Sequence, residues 1–335
     1  MASIRDVAKI AGVSISTVSR VVSGSANVEA STRARVQQAI EDTGYKPNIN
    51  ARSLRSRSGQ LVGLAVPQIV NEAFAHFIHF AEQEAHRMGY GLVIGNTEDD
   101  PEREQKFIDD LLSRNVDAII FSRVSDASRL PMKARERNLP LVVIDRGIDD
   151  EDIPSIELDN VEAGAIVARL FARGGHHRVA MVAGPQNVRL ARERSAGFTK
   201  AAAAAGLTLQ EPYVYEGSFE FETGVAAADH FLSLAERPTA VWAQCDLAAV
   251  GLMHRFVEHG LTVPDDISVV GMDNVAIARM VYPPLTTVMQ PFEEFCSRAF
   301  SIIHRQLEDP SYRPEANPVV VRPSMVLRES YRNLN

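Results

Sequence analysis

At 335 residues, with 45% hydrophobic and 23% charged side chains, the chain has the composition of an ordinary globular protein of two or three domains at roughly 150 residues each. Its only cysteines, Cys245 and Cys296, are too few and too far apart for a disulfide framework or a CxxC metal site, and no run approaches the ~20 apolar residues of a membrane span. The net charge of −8 is unevenly divided: residues 1–60 hold nine basic and four acidic side chains, net +5, which leaves −13 for the rest. That split fits a basic head that meets a polyanion and an acidic body that does not. Arg5, Asp6 and Lys9 stand where a signal peptide would need an apolar stretch, so a cytoplasmic location is expected.

The head, residues 1–47, reads as three short helices. Ser3 and Asp6 have capping-box spacing, Val7, Ala8 and Ala11 form an apolar stripe, and Gly12 ends the helix. Ser14 can cap a second helix over Ile15–Val22, with Val18, Val21 and Val22 on one face. Ser31 or Thr32 can open a third, with Val36 and Ile40 inward, Gly44 at its C′ position and Pro47 barring continuation. This is a helix-turn-helix pattern, in which the early residues of the second helix reach base edges. The small hydroxyls of Ser14, Ser16, Thr17 and Ser19 allow close approach and can bind phosphate, and Arg20 can contact a guanine at two points.

Residues 48–59, NINARSLRSRSG up to Gly59, are basic and hold one large apolar side chain in their second half, Leu54. Taken alone they read as a plain linker. After Gln60 strand-sized apolar runs alternate with helical periodicity: strands at 61–66, 91–96, 118–122, 141–145, 178–184, 213–217, 240–244 and 268–273, with helices between. The first helix carries Phe74, Phe77, Ile78, Ala81, Ala85 and Met88 on one side. The fold class is therefore α/β, two doubly wound parallel sheets behind an all-α head, and ligands are expected beside the carboxyl ends of the strands.

The stretch DVAKIAGVSISTVSRVVSG resembles the N-terminal signature of the LacI/GalR family of bacterial repressors. The likeness continues through TRARVQQAIEDTGYKPNINARSL, NTEDDPEREQKFIDDLLSRNVDAII, RPTAVWAQCDLAAVG and VPDDISVVGMDN, essentially the whole chain. By position it implies that Ile15, Ser16 and Arg20 read bases, that Asn27, Thr32, Tyr45 and Asn48 contact the DNA backbone, and that Leu54 is the hinge-helix leucine that wedges into the minor groove beside its twin. Ser3, Ile4 and Arg52 complete the set expected to meet double-stranded DNA at a palindromic operator. Segment 48–59 would then gain its burial from DNA and from a second copy, and the linker reading gives way.

For the body, residues 60–335, the resemblance implies two lobes like those of a periplasmic sugar-binding protein, an N-lobe of about 60–159 and 291–319 and a C-lobe of about 160–290 and 320–335. It places Phe74, Phe219 and Phe292 as stacking faces and Asp145, Arg194 and Asp273 as anchors for hydroxyls. From composition alone each phenylalanine reads as well as core. Cys245 stands where many sugar-responsive members have an asparagine before the aspartate, here Asp246, so one amide is missing. Arg123 and Arg146 follow strands and, with Arg194, could make the cleft cationic, which favours a sugar acid or sugar phosphate over a plain sugar; alternatively each arginine pairs with a carboxylate.

No GxGxxG, GxxxxGK[ST] or GxSxG motif is present, and neither His176–His177 nor His76 with His79 has a third ligand at a metal-binding spacing. The expectation is a homodimeric repressor without cofactor, metal or catalysis, whose operator affinity is set allosterically by a small molecule held between two lobes.

Overall fold

The structure, a computed structural model, describes residues 2–22, 28–45, 59–126, 128, 132–148, 150, 152–315 and 317–335. Contacts divide the chain into two units, Met1–Gly59 and Gln60–Asn335.

In the first unit, helices α1 (Ile4–Ala11), α2 (Ile15–Val22) and α3 (Ala30–Thr43) enclose Val7, Ala8, Ala11, Val18, Val21, Val36 and Ala39. The capping box is complete: Asp6 N–H donates to Ser3 Oγ at 3.4 Å, and Ser3 N–H donates to Asp6 Oδ2 at 2.8 Å. The bonds that Ser3 N–H and Ser3 Oγ both donate to Asp6 Oδ2 hold the Asp6 carboxyl below the usual carboxylate range. Gly12 ends α1 in the left-handed region, φ 62°, and Ser14 Oγ accepts from Thr17 N–H at 3.1 Å to open α2. Helix α3 differs from the sequence reading. It begins at Ala30 because the Glu29 carbonyl already accepts from Arg33 N–H at 2.9 Å, so the ladder starts before either hydroxyl could cap it. Gly44, φ 59°, closes it.

The second unit carries two six-stranded sheets. In the first, β1 (Leu61–Val66), β2 (Gly91–Asn96), β3 (Ala118–Phe121), β4 (Leu141–Ile144), β5 (Ser155–Leu158) and β11 (Val319–Val321) run in the order β11-β5-β4-β3-β1-β2, all parallel. In the second, β6 (Val179–Ala183), β7 (Val214–Glu216), β8 (Ala240–Ala243), β9 (Ser268–Asp273), β10 (Thr286–Met289) and β12 (Ser324–Val326) run β12-β10-β9-β8-β6-β7, with β12 antiparallel to β10. The apolar runs of β1, β4 and β8 match strands covered by helices on both faces. The helices are α4 (Glu72–Arg87), α5 (Pro101–Ser113), α6 (Met132–Glu136), α7 (Asn160–Arg173), α8 (Arg189–Ala204), α9 (Phe221–Ser233), α10 (Asp246–Glu258), α11 (Ile277–Met280) and α12 (Phe292–Glu308).

Strands β5, β10, β11 and β12 were not expected from sequence; at three or four residues, with polar positions such as Ser155, Glu157 and Thr286, they lack the length of a readable apolar run. Several expected strands also end one residue early, at Phe121, Ile144, Ala183, Glu216 and Ala243. The next residue in four of these cases, Ser122, Asp145, Gly217 and Gln244, still donates its N–H to the neighbouring strand before the chain leaves the sheet, and Asp145 does so with φ 64°. Residues 211–213, partly read as strand, form a 3-10 turn. Helices α7 and α8 pack at backbone contact, which glycine alone allows. A Cβ on Gly164 would lie 2.1 Å from the Arg194 carbonyl, and one on Gly197 2.0 Å from that of Val161. This close approach fixes where Arg194 stands.

Candidate DNA-reading head and effector cleft

On the head, Ser3, Ser14, Ile15, Ser16 and Arg20 are exposed, with Ile15, a β-branched apolar residue on the first turn of α2, at 38%. Ser14 Oγ lies 2.7 Å from Ser16 Oγ and 2.9 Å from Thr17 Oγ1, so three of the four expected phosphate-binding hydroxyls form one cluster at the start of α2. Ile4, Thr17, Ser19, Thr32 and Tyr45 are half-buried, and Ile4 and Tyr45 pack against the head's core. Asn27, Asn48, Arg52 and Leu54 lie outside the described residues.

In the body, the carboxyl ends of both sheets line a cleft. Its outer chamber, about 320 Å³, is walled by Gln68, Val70, Asn71, Phe74, Asp99, Val124, Arg146, Pro185, Asn187, Val188, Ser218, Phe219, Glu220 and Leu247. Asn71, Phe74, Arg146 and Phe219 also line an inner chamber of about 30 Å³, together with Asp145, Arg194, Gln244, Cys245, Asp273 and Gln290. The larger volume is that of a small-molecule site.

Three charged groups dominate the inner chamber. Arg194, 3% exposed, donates from Nε to Asn160 Oδ1 at 2.9 Å and from Nη1 to the Gln244 carbonyl at 3.0 Å, which aims the fork at the cavity. Burial lowers its pKa, opposed by the nearby Asp273 and Asp145 carboxylates. Asp273 accepts from Gln290 Nε2 at 2.5 Å, and burial pushes its carboxyl up to about 7. The Asp145 carboxyl is also raised by burial, against the pull of Arg194 and Arg146, and no described residue donates a hydrogen bond to it. Gln290 Oε1 is buried and has no partner among the described residues. Buried acceptors without donors are costly, so this chamber suits a ligand that brings its own hydroxyl or N–H donors.

Two phenyl rings flank the cavity. The Arg146 guanidinium lies 5.6 Å from the Phe74 ring centre, and that of Arg194 lies 5.9 Å from the Phe219 ring centre, so one face of each ring is engaged by a cation. Cys245 lines the chamber, but its Sγ accepts from Ala248 N–H at 3.3 Å to cap α10, and burial raises its thiol pKa far above neutrality. Asp246 lies behind it, accepting from Thr287 Oγ1 at 2.5 Å and Val275 N–H at 3.0 Å. It braces the turn after β9 and does not line the cavity.

Two expected residues lie elsewhere. Arg123 donates to the carbonyls of Gly147 at 2.7 Å and Asp126 at 2.6 Å and is absent from the cavity wall, because backbone acceptors within its reach turn the guanidinium away. Phe292 stacks on His76 at 5.2 Å and meets Phe77 edge-on at 5.0 Å, in the packing of α12 on α4. The cleft is not cationic either: Asp99, Asp145, Glu220 and Asp273 stand in its walls against Arg146 and Arg194.

Asn71, Gln244 and Gln290 were missed by sequence reasoning. Asn71 caps α4, accepting from Ala73 N–H at 2.9 Å in the loop five residues beyond β1, a position that strand-end reasoning could have reached. Gln244 is the residue after β8, where it accepts from Gly184 N–H at 3.1 Å and donates to Ser195 Oγ at 2.8 Å. Gln290 follows β10, a strand too short to read.

Residues 3–48 match a family described as bacterial regulatory proteins, lacI family, and residues 168–331 match a periplasmic binding protein-like domain. Two relatives, each named HTH-type transcriptional repressor PurR, from Photobacterium profundum and Vibrio campbellii, are 35% and 36% identical over 100% of both chains. A lac repressor dimer bound to operator and the anti-inducer ONPF superposes with a TM-score of 0.89 at 26% identity, covering 99% of each chain. A complex of the transcriptional regulator CelR with cellobiose gives 0.74 at 28% identity, over 98% of this chain and 100% of that one.

Proposed function

Because the chain belongs to the lacI family of bacterial regulatory proteins, and is a DNA-binding transcriptional regulator rather than an enzyme, we propose that its effector is an uncharged, hydroxyl-rich small molecule of the sugar type. The observation that carries this reading is the acceptor-rich inner chamber: Asp145, Asp273 and Gln290 Oε1 around the aimed guanidinium of Arg194. A carboxylate accepts from vicinal hydroxyls, the arginine fork donates to ring or anomeric oxygens, and the parts of Phe74 and Phe219 that line the cavity cover C–H surface. The surplus of carboxyls in the walls disfavours sugar acids and sugar phosphates. A flat heterocycle with N–H donors, such as a purine, is the second reading, favoured by the two phenyl rings.

The head, residues 1–47, reads the major groove through Ile15, Ser16 and Arg20, positioned by Ser14, Thr17, Ser19, Thr32 and Tyr45 at the backbone. Residues 48–59 pair with those of a second chain on a two-fold symmetric operator, with Leu54 as the minor-groove wedge. A ligand that prefers one separation of the lobes shifts the spacing of the paired hinges and so the stability of the bound form, and by linkage DNA changes ligand affinity by the same factor. The test is thermal melting of the full chain against panels of neutral sugars, sugar acids, sugar phosphates and purines. A ligand of the native state at a hundred times its Kd adds about 2.7 kcal/mol. A hit confined to the phosphates would overturn the uncharged assignment.

A further inference from the structure

The start of α8 reaches across to the first sheet through two arginine side chains that are absent from the cleft lining. Arg189 Nη2 pairs with Glu157 of β5, a carboxylate only 7% exposed that also accepts from Ser155 Oγ at 2.8 Å. A Cβ at Gly147 would lie 1.7 Å from Glu157 Oε1 and 2.5 Å from Arg189 Nη2, so the absence of a side chain there makes room for the pair. One turn along α8, Arg192 Nη2 lies 2.7 Å from Asp126 Oδ2, and its Nη1 donates to the Gln186 carbonyl at 2.7 Å. Asp126 also accepts from Arg189 N–H at 3.3 Å, and Asp126 N–H donates to the Asn187 carbonyl at 3.3 Å. Two further charges face this group: Glu193, with Oε1 3.5 Å from Arg189 Nε, and Arg123, whose guanidinium donates to the Gly147 and Asp126 carbonyls.

We infer that Glu157–Arg189 and Asp126–Arg192 form an electrostatic staple that holds the lobes together and sets the open–closed equilibrium before any ligand enters. The two pairs are unequal. Arg192 and Asp126 are 45% and 40% exposed, so water and salt screen them. Separating Glu157 from Arg189 leaves a buried carboxylate without its cation, which is the expensive step. A ligand that prefers the closed body binds more tightly because of the staple, and one that prefers the open body must break it. The inference rests on the proposal that cleft ligands act through lobe separation, but its test uses no ligand, so the two fail separately.

The measurement is the interlobe distance by pulsed electron paramagnetic resonance on the full chain, spin-labelled at Glu102→Cys and Glu222→Cys and diluted with unlabelled chain. Cys245 and Cys296, 3% and 1% exposed, remain unlabelled. Without ligand, the parent should give one narrow distance. Glu157→Gln and Arg189→Gln should each raise a longer-distance population on the order of tenfold, about 1.4 kcal/mol, and the double variant should add little more. Glu193→Gln should leave the distribution unchanged. Should Glu157→Gln fail to fold, Asp126→Asn gives a smaller shift in the same direction, matched in the parent by high salt. A parent-like distribution in Arg189→Gln, or additive effects in the double variant, overturns the staple.

Discussion

Replacing Arg194 with alanine tests the electrostatics of the inner chamber. The change leaves Asn160 Oδ1 and the Gln244 carbonyl without their donor, two buried acceptors at about 1–3 kcal/mol each. It also removes the cation facing Asp145 and Asp273, and that part of the loss depends on pH. The folded pKa of Asp273, about 7, lies above the unfolded value near 3.9, so between them the folded state holds the extra proton and stability falls as pH rises. Without Arg194 the folded pKa rises further and extends this window upward. Below pH 6 the parent's Asp273 is already protonated, and the variant loses little beyond the two hydrogen bonds, about 2–6 kcal/mol. Above pH 7 the parent ionises beside Arg194 while the variant cannot, and the deficit grows on the order of 1 kcal/mol per pH unit. Urea unfolding of both chains at pH 6 and pH 8.5 reads the difference. An equal deficit at both values would refute the claim that Arg194 offsets these carboxylates.

Leu54→Ala should weaken operator binding while the ligand-induced rise in melting temperature stays within error; parallel losses of both count against the wedge. Arg20→Ala should cost about 1–3 kcal/mol on the selected operator and relax preference at one base pair, read by competition binding, whereas a uniform loss across sequences makes it a phosphate contact. His176 is held neutral by burial, with Nε2 2.9 Å from the Arg332 carbonyl and Nδ1 3.0 Å from Thr239 Oγ1. Its lowered pKa means that its contribution is present above the unfolded value near 6.5 and is lost as pH falls from there towards the folded one. The destabilisation caused by His176→Asn should therefore be smaller at pH 5 than at pH 7.5, and the opposite trend would contradict it.

What was legible in the chain follows from how local each signal is. Ser3–Asp6, Gly12 and Gly44 act within four residues of themselves, and all three appear at the helix ends where the pattern put them. Most strands read from sequence, such as β1, β3, β4, β6 and β8, are apolar runs covered on both faces, whereas β2 and β7 are part-exposed edge strands legible from their strand-forming residues alone. Those missed, β5, β10, β11 and β12, are short, and their register comes from neighbours distant in sequence, as in Val319 beside Ile156. The same limit applies in the cleft. Asp145 and Asp273 could be placed because strand ends and the family pattern coincide there, and Arg194, on the second turn of α8, by the family pattern alone. Gln290 could not, because its strand was unseen. Arg123 and Phe292 occupy plausible positions in sequence, yet the Gly147 carbonyl captures one and His76 the other. Such competition between partners exists only once the chain is folded.

Ligand-controlled recognition of a symmetric operator can be read by selecting duplexes from a random pool with the full chain at physiological salt, then measuring affinity for the selected sequence and for unrelated DNA, with and without a ligand found by thermal shift. The prediction is a two-fold symmetric sequence bound at least about 10³-fold more tightly than unrelated DNA, with an affinity that the ligand changes and a ligand affinity that the DNA changes by the same factor. Enrichment of no sequence, with weak binding governed by salt alone and indifferent to the ligand, would contradict it.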